Sequence, residues 1–324
     1  MRGHAPLRPN SPFGGQSPGQ PKRRLGDRWI LATACVVQLR VRIPFIGSEA
    51  VAAGHLTRAQ LRRWYRPIYR GVYVPERHEV SLRDRIVGAS LSSNAVIAGV
   101  AASAVHGAGF VDSDIAIELV AGVRRQHGLL VRDETLADGE TTRVSGLRVT
   151  TVARTAFDLA RYLPRDKAVP RLDALANARP FTATEVLAVA NRHPGARGLR
   201  QMRVALPLID GGSESPRETW LRLLFVDAGL PCPTTQFVIR DEQGGYVRRV
   251  DMCWEAYKVG AEYDGQQHLG NRNQYVRDVR VNRVLQRLGW HIVHVIKEDA
   301  RAEIIREARA ALIARGWRPT GARG

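Results

Sequence analysis

Apolar and polar positions alternate with two different periods along this chain, and the change from one period to the other marks its elements. From Ser213 onward the pattern is clearest. Ser215-Pro216-Arg217-Glu218 opens a helix, with Pro at the first helical position, and Trp220, Leu221, Leu224 and Phe225 form its apolar face. Gly229-Leu230-Pro231 stops it. Gln236–Arg240 then reads as a strand, Glu242-Gln243-Gly244-Gly245 as a hairpin turn, and Val247–Cys253 and Lys258–Tyr263 as two more strands. A helix over about Asn273–Leu288 follows, carrying Tyr275, Val279, Leu285 and Leu288. Gly289 ends it, His291–Ile296 is a fourth strand, and a last helix covers about Asp299–Arg315. The predicted order is α-β-β-β-α-β-α.

The front is built from shorter pieces. Ser48 caps a short helix that ends at Gly54, and Thr57 with Gln60 forms a capping box for a basic helix, Arg58–Tyr65. Pro67 ends that helix, and residues 68–74 read as a turn and strand. Two short helices followed by a β-wing outline a winged helix-turn-helix, whose second helix enters the major groove. Arg58, Arg62, Arg63, Arg66 and Arg70 are then candidate nucleic-acid contacts; a solvated helix face is the plainer reading. In the middle, Ile115, Ile117 and Leu119 alternate, as do Leu147 and Val149, so short strands are expected there. Thr151–Tyr162 is an amphipathic helix, Thr182-Ala183-Thr184-Glu185 is a second capping box, and Gly195–Ile209 reads as one more helix. Gly211-Gly212-Ser213 interrupts the pattern and is the expected boundary.

The resulting fold class is α/β, with an α+β front part. The expected organisation is a basic tail over 1–43, a winged-helix-like module over 44–112, a mixed connecting region over 113–212 and a C-terminal α-β-β-β-α-β-α domain over 213–317. The tail holds eight basic residues and one acid, Asp27. It reads either as disorder able to touch phosphate or as a start codon placed too far upstream.

Charge changes the picture from fold to partner. The 324 residues carry 49 Lys plus Arg against 31 Asp plus Glu, a net charge of +18. Such an excess points to a polyanion, because neutralising phosphates releases counterions; an Arg-rich genome produces the same surplus. The expected partner is nucleic acid, principally double-stranded DNA. Cys35, Cys232 and Cys253 have no CxxC spacing, which excludes a zinc knuckle and a disulfide framework and fits a reducing, cytoplasmic setting. No apolar run approaches the ~20 residues that span a bilayer, so no membrane partner is expected.

Asp251 lies near the end of one strand among Val250 and Met252, where an unpaired carboxylate is expensive. Alternation on the next strand places Gly260, Glu262 and Asp264 on one face. Adjacent strands can therefore aim Asp251 and Glu262 at a common point, with Asp264 as a third candidate ligand or simply a turn residue. Hard oxygen ligands without a Cys or His cage favour Mg²⁺ or Mn²⁺. Such an ion assists phosphodiester hydrolysis, and Arg272, Arg277, Arg280, Arg283 and Arg287 offer a basic surface beside it, with Arg277 and Arg280 as candidate nucleic-acid contacts. His106, in a run of small residues, and Trp254, Trp290 and Trp317 read as packing.

The block Asp251…Glu262-Tyr263-Asp264-Gly265-Gln266-Gln267-His268, followed by Tyr275…Asp278…Arg280 and Gly289-Trp290, resembles uncharacterised domains related to the very-short-patch-repair endonucleases, within the PD-(D/E)xK superfamily. The likeness covers about residues 213–315 and implies a restriction-endonuclease-like αβββαβ core. It makes Asp251 and Glu262 metal ligands, Glu218 an accessory acid and His268 a general acid or base. The superfamily pattern wants Lys two residues after the second acid, and Asp264 stands there. Lys258 is four residues before Glu262, about 13 Å away at strand rise, so Gln267 or His268 would orient the water. Glu218 has a bland alternative, completing a capping box with Ser215.

Residues 46–160 resemble the N-terminal domain of AbiEi-type antitoxins, through Gly54-His55-Leu56-Thr57-Arg58-Ala59-Gln60-Leu61, Arg70-Gly71-Val72-Tyr73 and a small-residue helix over 98–107. That resemblance implies DNA binding and identifies no toxin partner. Two functions stay open: a Mg²⁺-dependent endonuclease, or a non-catalytic antitoxin-type regulator with a degenerate nuclease fold. An RNA-directed enzyme is a third, since phosphate chemistry is alike in both polymers.

Overall fold

A computed structural model describes residues 43–93, 95–120, 124–264 and 272–319, without the side chains of 272–275. The tail over 1–42, Cys35, Gln267 and His268 lie outside these residues. The described chain is mixed α/β, with three separate sheets.

The first sheet comprises β1 (Phe45–Ile46), β2 (Tyr65–Tyr69) and β3 (Val72–Pro75) in the order β1-β3-β2, all antiparallel. Helices α1 (Gly47–Ala52) and α2 (Arg58–Trp64) lie between β1 and β2 in the chain. The Thr57–Gln60 capping box is present: Gln60 N donates to Thr57 Oγ1 at 3.1 Å and Thr57 N to Gln60 Oε1 at 2.8 Å. Ser48, by contrast, does not cap α1. The helix already begins at Gly47, whose N–H is satisfied by the Gly71 carbonyl at 2.9 Å. A Cβ at Gly47 would come within 2.6 Å of the Tyr73 ring, so the helix can start this close to β3 only on a glycine.

After α3 (Leu82–Leu91) comes a five-stranded mixed sheet in the order β6-β5-β4-β8-β7, made of β4 (Val96–Ala98), β5 (Ile117–Val120), β6 (Leu129–Arg132), β7 (Thr141–Val144) and β8 (Leu147–Thr150). The expected small-residue helix is shorter than its sequence pattern. Ala98 ends β4, and α4 (Gly99–Val105) starts at Gly99, with φ of +56°. A Cβ at Gly99 would lie 2.2 Å from Glu118 Oε1, and the glycine leaves that carboxylate room to accept the Val100 N–H at 3.2 Å. His106 packs as expected, bonded through Nε2 to the Thr150 carbonyl at 2.7 Å, and burial lowers its pKa.

Four helices follow: α5 (Val152–Tyr162), α6 (Arg165–Ala178), α7 (Ala183–Arg192) and α8 (Leu199–Ala205). They enclose a core that includes Phe157, Leu159, Leu172, Leu175 and Met202. A dense charge network is buried on α5. Arg154 donates to Glu140 at 2.6 Å, Glu134 at 2.7 Å and Asp158 at 3.1 Å. Arg161 adds Asp158 at 2.9 Å and also Glu134, while Arg192 and His193 reach Glu140 at 3.1 and 2.9 Å.

The last sheet has the order β12-β11-β10-β9. Its elements are α9 (Pro216–Asp227), β9 (Thr234–Arg240), β10 (Tyr246–Trp254), β11 (Val259–Tyr263), α10 (Arg272–Arg287), β12 (His291–Val295) and α11 (Arg301–Ala314), in the sequence-expected order. β9, β10 and β11 pair antiparallel, whereas α10 is the crossover that lets β12 run parallel to β11. One face buries Leu221, Phe225, Met252, Trp254, Val259, Ala261, Val293 and Leu312. The other packs Ile239, Val250, Leu285 and Trp290. The break at 211–213 is bridged by Asp173 on α6, which accepts from Arg222 Nη2 at 2.7 Å, Thr219 Oγ1 at 2.8 Å and Asp210 N at 2.8 Å. Among the described residues, no helix is long and apolar enough to cross a membrane.

Candidate metal centre

The site begins with an irregularity in β10. Arg248 and Val250 lie on the α10 side of the sheet, yet Met252 and Trp254 pack on the opposite side. Strict alternation would place Val250 and Met252 on the same face, so the strand changes phase at Asp251. Its partner position on β9, by the register that pairs Val250 with Phe237 and Met252 with Thr235, is Gln236, which has φ of +50°. On the other side, Met252 opposes Ala261, which sets Asp251 across from Glu262.

Asp251 Oδ2 accepts the Tyr263 N–H at 2.8 Å. Burial pushes its carboxyl up, and the negative charges of Glu218, Glu262 and Asp264 push it further; the Tyr263 hydrogen bond pulls the other way. The result is a pKa of about 6. Glu218, on the first turn of α9, is held in place by two donors on Oε2: Gln236 Nε2 at 3.0 Å and Glu214 N at 2.8 Å. It does not close the capping box on Ser215; it reaches one residue further back and toward β9. Ser215 still caps α9, accepting the Glu218 N–H at 3.2 Å.

Glu262 is buried, and Arg248 engages both of its oxygens, Nε to Oε1 at 2.7 Å and Nη2 to Oε2 at 2.5 Å. Burial raises the Glu262 pKa, and Arg248 offsets only part of the rise. The parallel register places His294 beside Glu262. His294 Nδ1 lies 2.9 Å from Asp264 Oδ2 and 3.8 Å from Glu262 Oε2, and the bond to Asp264 raises its pKa. Glu262, Asp264 and His294 each offer one ligand atom, all within 4.8 Å of one another.

This donor set fits a hard divalent cation. It offers two carboxylates and one imidazole, Asp251 lies outside this group of three, and burial first of all raises the Asp251 and Glu262 carboxyls. Lys258 is not part of it. That residue is a turn with φ of +48°, just before β11, and its Nζ donates to the Leu288 carbonyl at the end of α10, at 3.0 Å.

The candidate nucleic-acid contacts divide. Arg58, Arg62 and Arg63 are exposed on α2, which buries none of its residues, and the Arg63 guanidinium lies 4.9 Å from the Trp64 ring centroid. Arg66 turns inward instead, donating to the carbonyls of Glu76 at 3.3 Å and His78 at 2.9 Å, so it fastens the chain after β3. Arg70 is exposed in the β2–β3 turn. Arg277 and Arg280 are exposed on α10, where Arg280, Arg283 and Arg287 border a surface trough.

Two site residues escaped the sequence reading: Arg248 and His294. A basic residue three positions before Asp251 and a histidine in the apolar run His291-Ile292-Val293-His294-Val295 were the available signals. Neither points anywhere until strand register is known.

No known protein-family profile matches the chain. In two strains of Mycobacterium tuberculosis, the proteins named Uncharacterized protein MT2308 and Uncharacterized protein Rv2248 are each 33% identical to it over 246 residues, 75% of this chain and 88% of the relative.

Proposed function

The chain belongs to the same family as these two mycobacterial proteins, and we propose for it a metal-dependent endonuclease activity on DNA. The observation that carries this reading is the gathering of four carboxylates where β10 meets β11, Glu262 buried and the others partly so, with burial and the charges of Glu218, Glu262 and Asp264 pushing Asp251 up to about 6. The arrangement of α9 through α11 around the β12-β11-β10-β9 sheet supports a PD-(D/E)xK-like core. The β1-β3-β2 sheet with α1 and α2 supports a winged-helix-like module in front of it.

Asp251 and Glu262, with Asp264, would hold Mg²⁺ or Mn²⁺. When bound, the ion supplies Lewis-acid polarisation and charge neutralisation at a phosphodiester. The chain's own residues do the rest. Asp251 is half ionised at about pH 6, so a neutral or higher pH favours the ligand form. Gln236 orients Glu218, and Asp264 fixes the His294 ring by accepting from Nδ1. The arginines of α10 bind backbone phosphate without reading sequence. Asp264 occupies the position where the superfamily pattern has Lys, so the local cation is Arg248.

Supercoiled plasmid incubated with the purified protein and Mg²⁺ or Mn²⁺ tests this reading. Nicked or linear product is expected, and the Asp251→Ala/Glu262→Ala double variant should fall to the level of a protein-free control. Equal cleavage by both proteins would remove the proposed site.

A second reading, a non-catalytic DNA-binding regulator of antitoxin type, is favoured by one observation: Glu262 is already neutralised by Arg248. A footprint that survives in the double variant, with no cleavage in any divalent metal, selects it.

A further inference from the structure

Arg248 lies in the centre of the acidic site, and its geometry bears on how a metal would enter. Its side chain is only 23% exposed and that of Glu262 only 7%. The fork of the guanidinium takes one lone pair on each Glu262 oxygen, and it sets a full positive charge directly against any ion that would use the lone pairs left over. A divalent cation at Glu262 would also meet the Arg248 charge a few ångströms away, and two cations sharing one buried carboxylate repel strongly.

We propose that Arg248 is an internal competitor for the metal: a divalent ion binds Glu262 only by displacing the guanidinium, and a nucleic-acid phosphate is the anion that receives it. This rests on the metal reading above. Two features support the exchange. The planar fork that matches a carboxylate also matches a phosphate. A guanidinium keeps its charge in any protein setting, so the displaced group can still pair with a phosphate anion. Metal and DNA should therefore each strengthen the binding of the other.

The test is Mn²⁺ binding, measured by calorimetry and by the electron paramagnetic resonance signal of the free ion. It uses the full chain and the variants Arg248→Gln and Arg248→Lys, with circular dichroism to confirm folding. Arg248→Gln is expected to bind Mn²⁺ about 10-fold tighter than wild type, a typical coupling between linked sites. Arg248→Lys, which keeps the charge and loses the fork, should fall in between, at roughly 3-fold tighter on the same scale. A short DNA duplex should tighten Mn²⁺ binding in wild type by a comparable factor and in Arg248→Gln hardly at all. Wild-type affinity, or weaker, in a folded Arg248→Gln or Arg248→Lys variant overturns the competition and leaves the metal reading standing. Failure of every protein to bind Mn²⁺ at millimolar concentration overturns the metal reading and the competition with it.

Discussion

Two partly buried charge clusters in this chain are made of the same residue types and have opposite balance. On α5, the carboxylates Glu134, Glu140 and Asp158 meet Arg154, Arg161 and Arg192, with His193 against Glu140. Burial alone would push the Glu140 carboxyl up, yet the bonds from Arg154 and His193 bring it below its ordinary value, while the more deeply buried Asp158 stays raised in spite of Arg154 and Arg161. In the C-terminal sheet, Glu218, Asp251, Glu262 and Asp264 share Arg248 and His294, and the Asp251 and Glu262 carboxyls stay raised. A balanced cluster needs nothing added and reads as architecture. Among the described residues the second cluster sets four carboxylates against one arginine and one histidine, and that ratio, since raised carboxyls occur in both clusters, is what marks it as a candidate site.

The contrast can be broken most directly by removing one arginine from the balanced cluster. Arg154→Met removes the central cation of the network, leaving Glu140 to Arg192 and His193 and Asp158 to Arg161, and is expected to cost about 3 kcal/mol in urea unfolding. Asp251→Asn removes a repelled charge and should leave stability unchanged or raise it by up to about 1 kcal/mol. Equal losses from the two would erase the distinction.

Arg66→Met comes next, at about 1–2 kcal/mol, because it leaves the Glu76 and His78 carbonyls without their donor. It should not change the salt dependence of DNA binding, and a clear change there would return Arg66 to the interface.

The third effect is a pH dependence. The folded pKa of Asp251, about 6, lies above its ordinary 3.8, so the folded state holds this proton more tightly than the unfolded state. Its stabilising contribution is complete below about pH 4 and disappears as pH rises through 6. Relative to Asp251→Asn, the wild type should lose about 1–2 kcal/mol over that window, after allowance for partial solvent screening. Parallel stability–pH curves for the two proteins would contradict the raised pKa.

The smallest stability effect, within about 0.5 kcal/mol, is expected for Arg58→Gln/Arg62→Gln/Arg63→Gln on exposed α2. Its signature lies in binding: the slope of log affinity against log salt should drop by about 0.9 for each phosphate that α2 no longer neutralises. An unchanged slope in fluorescence anisotropy would exclude α2 from the interface.

Local signals were enough to order the elements from 216 to 314, because helix and strand periods, the Ser215 cap and the Gly289 stop are written in contiguous residues. The same holds for the Thr57 and Thr182 capping boxes, both present. What escaped depends on pairing across the chain. β4 went unassigned apart from Ala98, which was read into the small-residue helix, because three apolar residues have no period of their own. The Arg154 network joins 134, 140, 154, 161 and 193, and nothing in their spacing links them. Asp251 and Glu262 were visible as acids in apolar strands. Arg248 and His294 became visible only through register and through the parallel pairing made by the α10 crossover.

The phase change at Asp251 makes β10 two short rulers laid end to end. The first half is read against α10 and sets where Arg248 meets Glu262; the second is read against α9 and α11 through Met252 and Trp254. A one-residue deletion before Asp251 would therefore swing Arg248 to the wrong side while leaving the second ruler in register. Grafts between family members should accordingly swap the strand whole, since a crossover inside it joins halves that keep different time.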